Sequence, residues 1–237
     1  MDKTYEGILR FGEGTDTCDR DGKVVETGVV PDLGAGEWQG VANRFVGPLD
    51  QIPPDFSAKR VEGQRAYDLA RRGVAVGLSA RPVQVYLFEV APVSERDLRF
   101  RLGCSSGTYI RAIARDMGAA VGCPAHCVEL RRTIVGTYRI SDANTLDSPF
   151  HPKGFIPFDA VDLGIPVHRA DPREERLLMN GQRIPARSSL SVAGSLVKVM
   201  SPSGRFLALV RSDGMQLQPA TVFHPDPTGP PDHPAGG

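Results

Sequence analysis

CSSGTYIRAIARDMGAAVGCPAHCVELRR, residues 104–132, is the stretch whose reading decides the fold. It follows Leu98-Arg-Phe-Arg-Leu102, an alternating run that reads as a strand with one buried face and stops at Gly103. Ser105, Ser106 and Gly107 form a turn, and Thr108 is placed to cap a helix. In that helix Ile110, Ile113, Met117 and Val121 recur three or four residues apart, so one face is apolar. Gly118 and Gly122 stand near its end, where a left-handed cap residue is wanted. Tyr109 and Arg111 then lie in the first helical turn, just beyond a strand end, where open sheets build sites.

Upstream, Val83 to Val93 and Asp97 to Gly103 read as a strand pair, preceded by Arg81-Pro82. Thr4 to Phe11 is a strand, and Lys23 to Val30 returns after a Gly/Asp/Thr loop at Gly12 to Gly22, giving a hairpin-like unit. The loop acids Asp16, Asp19 and Asp21 suggest calcium, but an EF-hand-like frame from Thr17 ends on Gly28, not on an acid. They read as turn formers whose side chains bond local amides. Glu37 to Phe45 is weakly helical and leads into Gly47-Pro-Leu-Asp-Gln-Ile-Pro-Pro54. Phe56 to Arg72 is basic through Lys59, Arg60, Arg65, Arg71 and Arg72, with Arg65 to Arg72 expected as a short helix. Tyr67 and Arg71 form an i, i+4 pair on it.

Downstream, Ile134 to Ile140 is a strand, and Asp147 reads as a helix-start acid. Pro172 to Asn180 is a helix broken by Gly181. Ser195 to Met200, Phe206 to Arg211 and Gln216 to Phe223 are short strands, the first two about a Ser203-Gly204 turn, and suggest a small β-barrel. Pro225 to Gly237, with five prolines and three glycines, reads as a disordered tail.

Composition excludes more than it identifies. The 237 residues suit one or two domains, and 41% hydrophobic content is enough for a core. Lys plus Arg equals Asp plus Glu at 28 each, so global charge points to no partner. Its distribution does: residues 1–37 carry four basic against nine acidic side chains, 59–81 six against two, and 96–139 eight against three. A basic centre on a neutral chain suits phosphate binding. Met1-Asp-Lys-Thr-Tyr5 does not read as a signal peptide, and no run has the length of a membrane span. The four cysteines are too few for a disulfide scaffold, and Cys123-Pro-Ala-His-Cys127 lacks a second spaced pair for zinc. Reduced thiols in a cytoplasmic protein without metal are expected.

Gly107-Thr-Tyr-Ile-Arg111, Arg115-Asp-Met-Gly118, Ala125-His126 and Leu130-Arg-Arg-Thr133 form an ordered series that resembles the bacterial tRNA pseudouridine-55 synthases, the TruB family. Asp2-Lys-x-Tyr5, Gly12-x-x-Thr-Asp-Thr17, Pro53-Pro-x-Phe-Ser-Ala58 and Gly63-x-x-Ala-Tyr67 extend the resemblance upstream. It covers roughly residues 2–140 well and 165–224 loosely. It implies an α+β fold: a mixed, largely antiparallel sheet with flanking helices (the pseudouridine synthase fold, N-terminally incomplete), then a small PUA-like β-barrel. The implied domains are a catalytic domain at 1–165, a PUA-like RNA-binding domain at 166–224 and the tail at 225–237.

The resemblance also implies the chemistry. These enzymes isomerise a uridine within RNA, moving the glycosidic bond from N1 to C5 with an Asp carboxylate and no cofactor. The base must leave the stack to be reached, and an exposed base needs an aromatic face. By resemblance Tyr5 stacks on the base, Arg111 pairs with the catalytic Asp, Leu130 lies under the base and Tyr109 borders the same pocket. A guanidinium fork orients a carboxylate and keeps it ionised. Lys59, Arg60, Arg65, Arg71, Arg72, Arg131 and Arg132 would meet phosphates of the tRNA T-arm stem-loop, contacts that position without specifying sequence. His126 is read as structural. A monomer is implied.

This sequence departs from the family pattern in two places. The family's catalytic loop precedes the Asp-Lys-x-Tyr strand, which here begins at Asp2. Asn144-Thr-Leu-Asp147 has a similar look but lies after the Leu130–Thr133 segment and lacks the flanking residues, so Asp147 is not read as the nucleophile. The expected nucleophile lies upstream of Met1; the alternatives are a tRNA-binding or tRNA-folding module without catalysis, or catalysis by Asp16 or Asp116. The other departure is Ser106, where the family commonly has lysine. Without an upstream segment, Thr4 to Phe11 is expected to lose neighbours, leaving Ile8 and Phe11 poorly covered and Arg111 without a carboxylate.

Overall fold

The computed structural model describes residues 1–54, 56, 60–61, 64–65, 72, 77–145, 147, 155–187 and 192–224. Two compact units divide the chain, Met1–Ala143 and Asn144–Gly237. The first contains, in order, β1 (Lys3–Phe11), β2 (Glu13–Thr15), β3 (Val24–Thr27), α1 (Ala35–Asn43), β4 (Gly47–Gln51), β5 (Arg60–Val61), β6 (Gln64–Arg65), β7 (Arg81–Pro92), β8 (Asp97–Cys104), α2 (Ile110–Ala120), β9 (Ala125–Val135) and β10 (Tyr138–Arg139).

Its sheet is six-stranded in the order β10-β9-β1-β8-β7-β4, with every ladder antiparallel. Alternation fixes the faces. Leu98, Phe100 and Leu102 of β8 are buried, while Arg99 and Arg101 between them point to solvent. On the buried face Leu9 and Phe11 of β1 and Val85 and Phe88 of β7 meet Trp38 of α1 and Ile113 and Met117 of α2 in one core. The Phe11 and Trp38 rings stand 4.6 Å apart. Burying such a side chain contributes about 1.5–3 kcal/mol.

The expectation of an uncovered first strand is corrected here. β1 lies between β8 and β9, paired with both, and Phe11 is fully buried. The cover comes from β9, which starts at Ala125, nine residues before the strand expected from Ile134. Its exposed middle, Glu129 to Arg132, carries little strand signal of its own. Pairing with β1 overrides that, and Gly7 permits it: a Cβ there would run into the Glu129 carbonyl, beside the register shift at Ile8/Leu9. β4 was also not foreseen as a strand; it pairs with β7 despite Pro48 because it is the sheet edge. Arg65, expected to begin a helix, instead pairs with Arg60 in the β5–β6 ladder. The remainder of that expected helix, 66–71, is outside the described residues.

α2 ends where Gly122 takes φ +69°. Gly122 donates to the Ala119 carbonyl at 3.2 Å and Cys123 to the Gly118 carbonyl at 3.0 Å, the paired bonds of a Schellman end. Gly118 is thus not the left-handed residue. It is helical, and a Cβ on it would sit 2.5 Å from the Cys123 carbonyl oxygen.

The second unit holds β11 (Val167–Arg169), α3 (Pro172–Met179), β12 (Ile184–Pro185), β13 (Leu196–Met200), β14 (Phe206–Ser212) and β15 (Gln216–Val222). Five strands line up as β11-β13-β14-β15-β12. β11 runs parallel to β13 and the other pairs are antiparallel. Val197, Val199, Leu207, Val210 and Leu217 form its core with Leu178 of α3. The division falls earlier than the expected 165/166 boundary because Phe158 stacks on Phe206 with ring centroids 5.0 Å apart. Buried Lys198 adds bonds to the carbonyls of Asp159 and Val161 at 2.9 and 2.6 Å. Residues 225–237, expected as a tail, are outside the described residues.

Candidate active site

The connection between β2 and β3 carries Asp19 alongside β9. Cys18 adopts φ 59°, rare for a side chain other than glycine, and its carbonyl accepts from Cys127 of β9 at 3.0 Å. Asp19 bridges Cys127 in parallel fashion. Thr15 Oγ1 donates to the Asp19 carbonyl at 2.7 Å. The Asp19 carboxylate is held at both oxygens. Oδ1 accepts from Thr17 Oγ1 at 2.6 Å and from the Asp21 amide at 3.2 Å, and Oδ2 accepts from Arg111 Nη1 at 2.8 Å. The turn-forming role expected of the loop acids is present, but Asp19 is also the carboxylate that Arg111 was expected to lack.

Arg111 stands in the first turn of α2. Nη1 also donates to the Thr17 carbonyl at 3.0 Å and Nη2 to the Phe56 carbonyl at 2.9 Å. Among the described residues its Nε makes no hydrogen bond. The helix opens without a side-chain cap of its own: the N-cap residue is Tyr109, and Thr108 Oγ1 donates backwards to the Ser105 carbonyl at 3.0 Å. Gln51 instead holds the N-cap residue itself. Its Oε1 accepts from the Tyr109 amide at 2.8 Å and its Nε2 donates to the Tyr109 carbonyl at 3.1 Å.

Around the Asp19–Arg111 pair lies a cleft of about 490 Å³, walled by Glu6, Cys127, Leu130 and Arg131. The pair is partly shielded, its side chains 25% and 27% exposed, and Leu130 presents an apolar surface 47% exposed. Arg111, Leu130 and Arg131 are therefore brought together. Tyr5 sits in β1 opposite Arg132 and Leu102, partly buried against the core, and does not line the cleft. Tyr109 lines a separate depression of about 290 Å³ with Gln51, Arg81 and Ser106. Arg132 is exposed beside Arg131 on β9, and Arg72 is exposed. Arg60 and Arg65 are backbone register partners in the β5–β6 ladder; Lys59 and Arg71 are outside the described residues. Where the family commonly has lysine, Ser106 instead accepts from Lys3 Nζ at 3.0 Å.

The other candidates have local roles. Asp16 Oδ1 accepts from the Lys23 amide at 2.8 Å, and Asp116 pairs with Arg115 at 2.8 Å. His126 is buried, its Nδ1 2.8 Å from the Glu13 carbonyl. Asp147 lies in a turn whose neighbours 146 and 148–154 are outside the described residues. Burial pushes the Cys127 thiol up to about 12, with the Asp19 anion adding to the rise and Arg111 opposing it. Burial likewise raises Cys18, Cys104 and Cys123. All four therefore keep their protons near neutral pH, and none is poised as a thiolate. Among the described residues there is no cluster of metal-ligating side chains, and no helix is long and apolar enough to cross a membrane.

Sequence reasoning missed Asp19 as Arg111's partner and missed Gln51. Asp19 was visible as a loop acid, but the 92 residues separating it from Arg111 leave no local trace of the pair. Gln51 stood in the quoted Gly47–Pro54 segment, yet an amide says nothing of the backbone it will clasp.

The architecture compares with solved structures at the level of fold. A chain of a Cbf5–Nop10–Gar1 complex superposes with a TM-score of 0.69 at 22% identity, covering 94% of this chain and 67% of that one. The chain therefore shares the fold of that neighbour. At the level of sequence, the family described as TruB family pseudouridylate synthase (N terminal domain) matches residues 1–110. The tRNA pseudouridylate synthase B C-terminal domain matches residues 111–148. A tRNA pseudouridine synthase B of Thermobifida fusca is 38% identical over 231 residues, covering 94% of this chain and 78% of the relative. One from Caldanaerobacter subterraneus subsp. tengcongensis is 35% identical over 230 residues with the same coverage. The chain belongs to the TruB family of pseudouridine synthases.

Proposed function

We propose that the protein isomerises the T-loop uridine at position 55 of tRNA to pseudouridine. The bond between C1′ and N1 breaks, the base turns, a bond between C1′ and C5 forms, N1 gains a proton and the C5 proton leaves to solvent. No redox change and no cofactor are needed. The base has to be flipped out of the stack at a cost of a few kcal/mol. The observation that carries this reading is the Asp19–Arg111 pair in a cleft bordered by Leu130. A fixed guanidinium beside an apolar wall suits an anionic transition state over a planar base.

Asp19 is a poor candidate for the attacking carboxylate, because Thr17, Asp21 and Arg111 already occupy its oxygens. Among the described residues Arg111 Nε is the group left to meet a second carboxylate. That carboxylate, in this reading, belongs to residues encoded upstream of Met1. Tyr5 would stack on the flipped base once tRNA seats. Arg131 and Arg132, with Lys59, Arg60, Arg65, Arg71 and Arg72, would meet T-arm phosphates. The second unit would add RNA surface as a PUA-like module. A monomer working in the cytoplasm fits this chemistry.

The test is tritium release from T-loop RNA carrying 5-tritiated uridine. The 237-residue chain should bind the RNA without turnover, and the same chain extended through the upstream reading frame should release tritium. Turnover by the chain alone would move the nucleophile to Asp19. Binding without turnover by both forms would favour the second reading, a tRNA-binding or tRNA-folding module, which the closed Asp19–Arg111 pair also accommodates.

A further inference from the structure

Three hydrogen-bonding links join the stretch Gln51–Phe56 to the start of α2. Gln51 clasps the Tyr109 amide and carbonyl at 2.8 and 3.1 Å. Arg115 Nη2 donates to the Ile52 carbonyl at 3.0 Å, and Arg111 Nη2 to the Phe56 carbonyl at 2.9 Å. Between these points Pro53 and Pro54 supply no amide hydrogen, so the links from this stretch to α2 among the described residues run through two carbonyls and one side chain. That side chain, Gln51, is 3% exposed. Its two bonds are complementary to the main chain of one residue in one orientation only: the oxygen must face N–H and the amide nitrogen must face C=O. Such a clasp fixes the Tyr109 main chain on both sides of its Cα. Arg111 is two residues on, in the first turn, with its guanidinium held to Asp19.

We infer that Gln51 is a positioning residue: by gripping the Tyr109 main chain it sets where α2 begins, and so places Arg111 against Asp19 and beside Leu130. This rests on the functional reading above for its consequence in catalysis, though not for the clasp itself. A helix start capped by its own sequence would tolerate loss of a distant glutamine. This one has no side-chain cap, so loss of Gln51 frees the Tyr109 amide and leaves its carbonyl to the Ala112 and Ile113 amides alone, at 3.1 and 3.2 Å. A shift of about 1 Å at a positioned group costs on the order of 100-fold in rate, while phosphate contacts elsewhere on the surface are untouched.

The experiment compares wild type with Gln51→Met, which keeps the packing volume and removes both bonds, and with Gln51→Glu, which keeps an acceptor for the Tyr109 amide. Amide exchange at residues 109–113 and tRNA affinity are measured on the 237-residue chain below the melting temperature of every variant. Single-turnover rates at saturating tRNA are measured on the upstream-extended form. Gln51→Met should speed exchange at 109–113 at least about tenfold, leave tRNA affinity within about twofold and lower the turnover rate on the order of 10–100-fold. Gln51→Glu should fall between. Unchanged exchange in Gln51→Met overturns the inference, as does an unchanged rate, or a rate that falls only because tRNA binds less well. If the extended wild type releases no tritium, the functional reading fails on its own. The exchange data with Gln51→Glu as partial rescue then decide whether Gln51 places Arg111.

Discussion

The two helices that open on polar segments do so by opposite means. α3 carries its own start: Asp171 accepts from the amides of Arg173 and Glu174 at 2.7 and 2.8 Å. Glu174 Oε2 in turn accepts from the Asp171 amide at 3.0 Å, and Pro172 fills the first helical position. Every group involved lies within four consecutive residues. α2 has none of this and is started by Gln51, 58 residues upstream of Tyr109. A self-capped helix needs only to pack. A helix started from a distance lets the fold choose where its first turn points, and that first turn carries Arg111. The locally written element is structural, and the one assembled at long range is where the site lies.

The largest expected break of this contrast is Arg111→Ala. It removes the guanidinium from the cleft and should lower turnover by about 10²–10³-fold in a single-turnover tritium assay of the extended form. A drop under tenfold would take Arg111 out of the reacting site. Next comes Gly7→Ala, which tests another long-range dependence. Its Cβ would meet the Glu129 backbone, forcing β9 away from β1 at the level of Leu130. Destabilisation of about 1–3 kcal/mol is expected from urea titration, together with weakened tRNA turnover. An unaffected melt would show that the bulge relaxes freely.

Asp171→Ala addresses the self-capped helix. It should cost about 1 kcal/mol in urea unfolding of the second unit and leave exchange at residues 109–113 unaltered. A change at α2 would erase the distinction drawn between the two starts.

The smallest effect concerns pH. The hydrogen bond from Arg10, at 2.8 Å, holds the Asp97 carboxyl below its usual range. Its folded value is depressed, so the stability it adds is present above the unfolded value near 4. That stability is lost as pH falls through the lowered folded value. Both side chains are partly exposed, so about 1 kcal/mol or less is at stake. Asp97→Asn should flatten the loss of stability as pH falls below about 4 relative to wild type, as read from melting temperatures. An unchanged acid slope would show the pair to be energetically silent.

Much of the sheet was legible. Leu98, Phe100 and Leu102 alternate with arginines, and alternation can be read from residues alone because successive strand side chains face opposite ways. The apolar spacing of Ile110, Ile113 and Met117 gave α2 for the same kind of reason. β9 was not legible between Ala125 and Thr133, since charged residues there win strand geometry only by pairing with β1 across the opening Gly7 leaves. Arg111 and Leu130 were named from motif resemblance and do share a cleft. Tyr109 was assigned to that cleft and lines another depression instead.

By itself the sequence determined what depends on neighbours along the chain. That covers the periodicities of β1, β7, β8 and α2, the capping box of α3, the turn at Gly122 and the motif series that marks the family. Only the tertiary structure decided which residues meet across the chain: Asp19 with Arg111, Gln51 with Tyr109, Gly7 with the back of Glu129. The physical reason is the range of the forces. Periodicity and capping act within about a helical turn or a strand repeat. A carboxylate or amide in a loop, by contrast, carries no information about its partner until the packed sheet brings the two within hydrogen-bond distance.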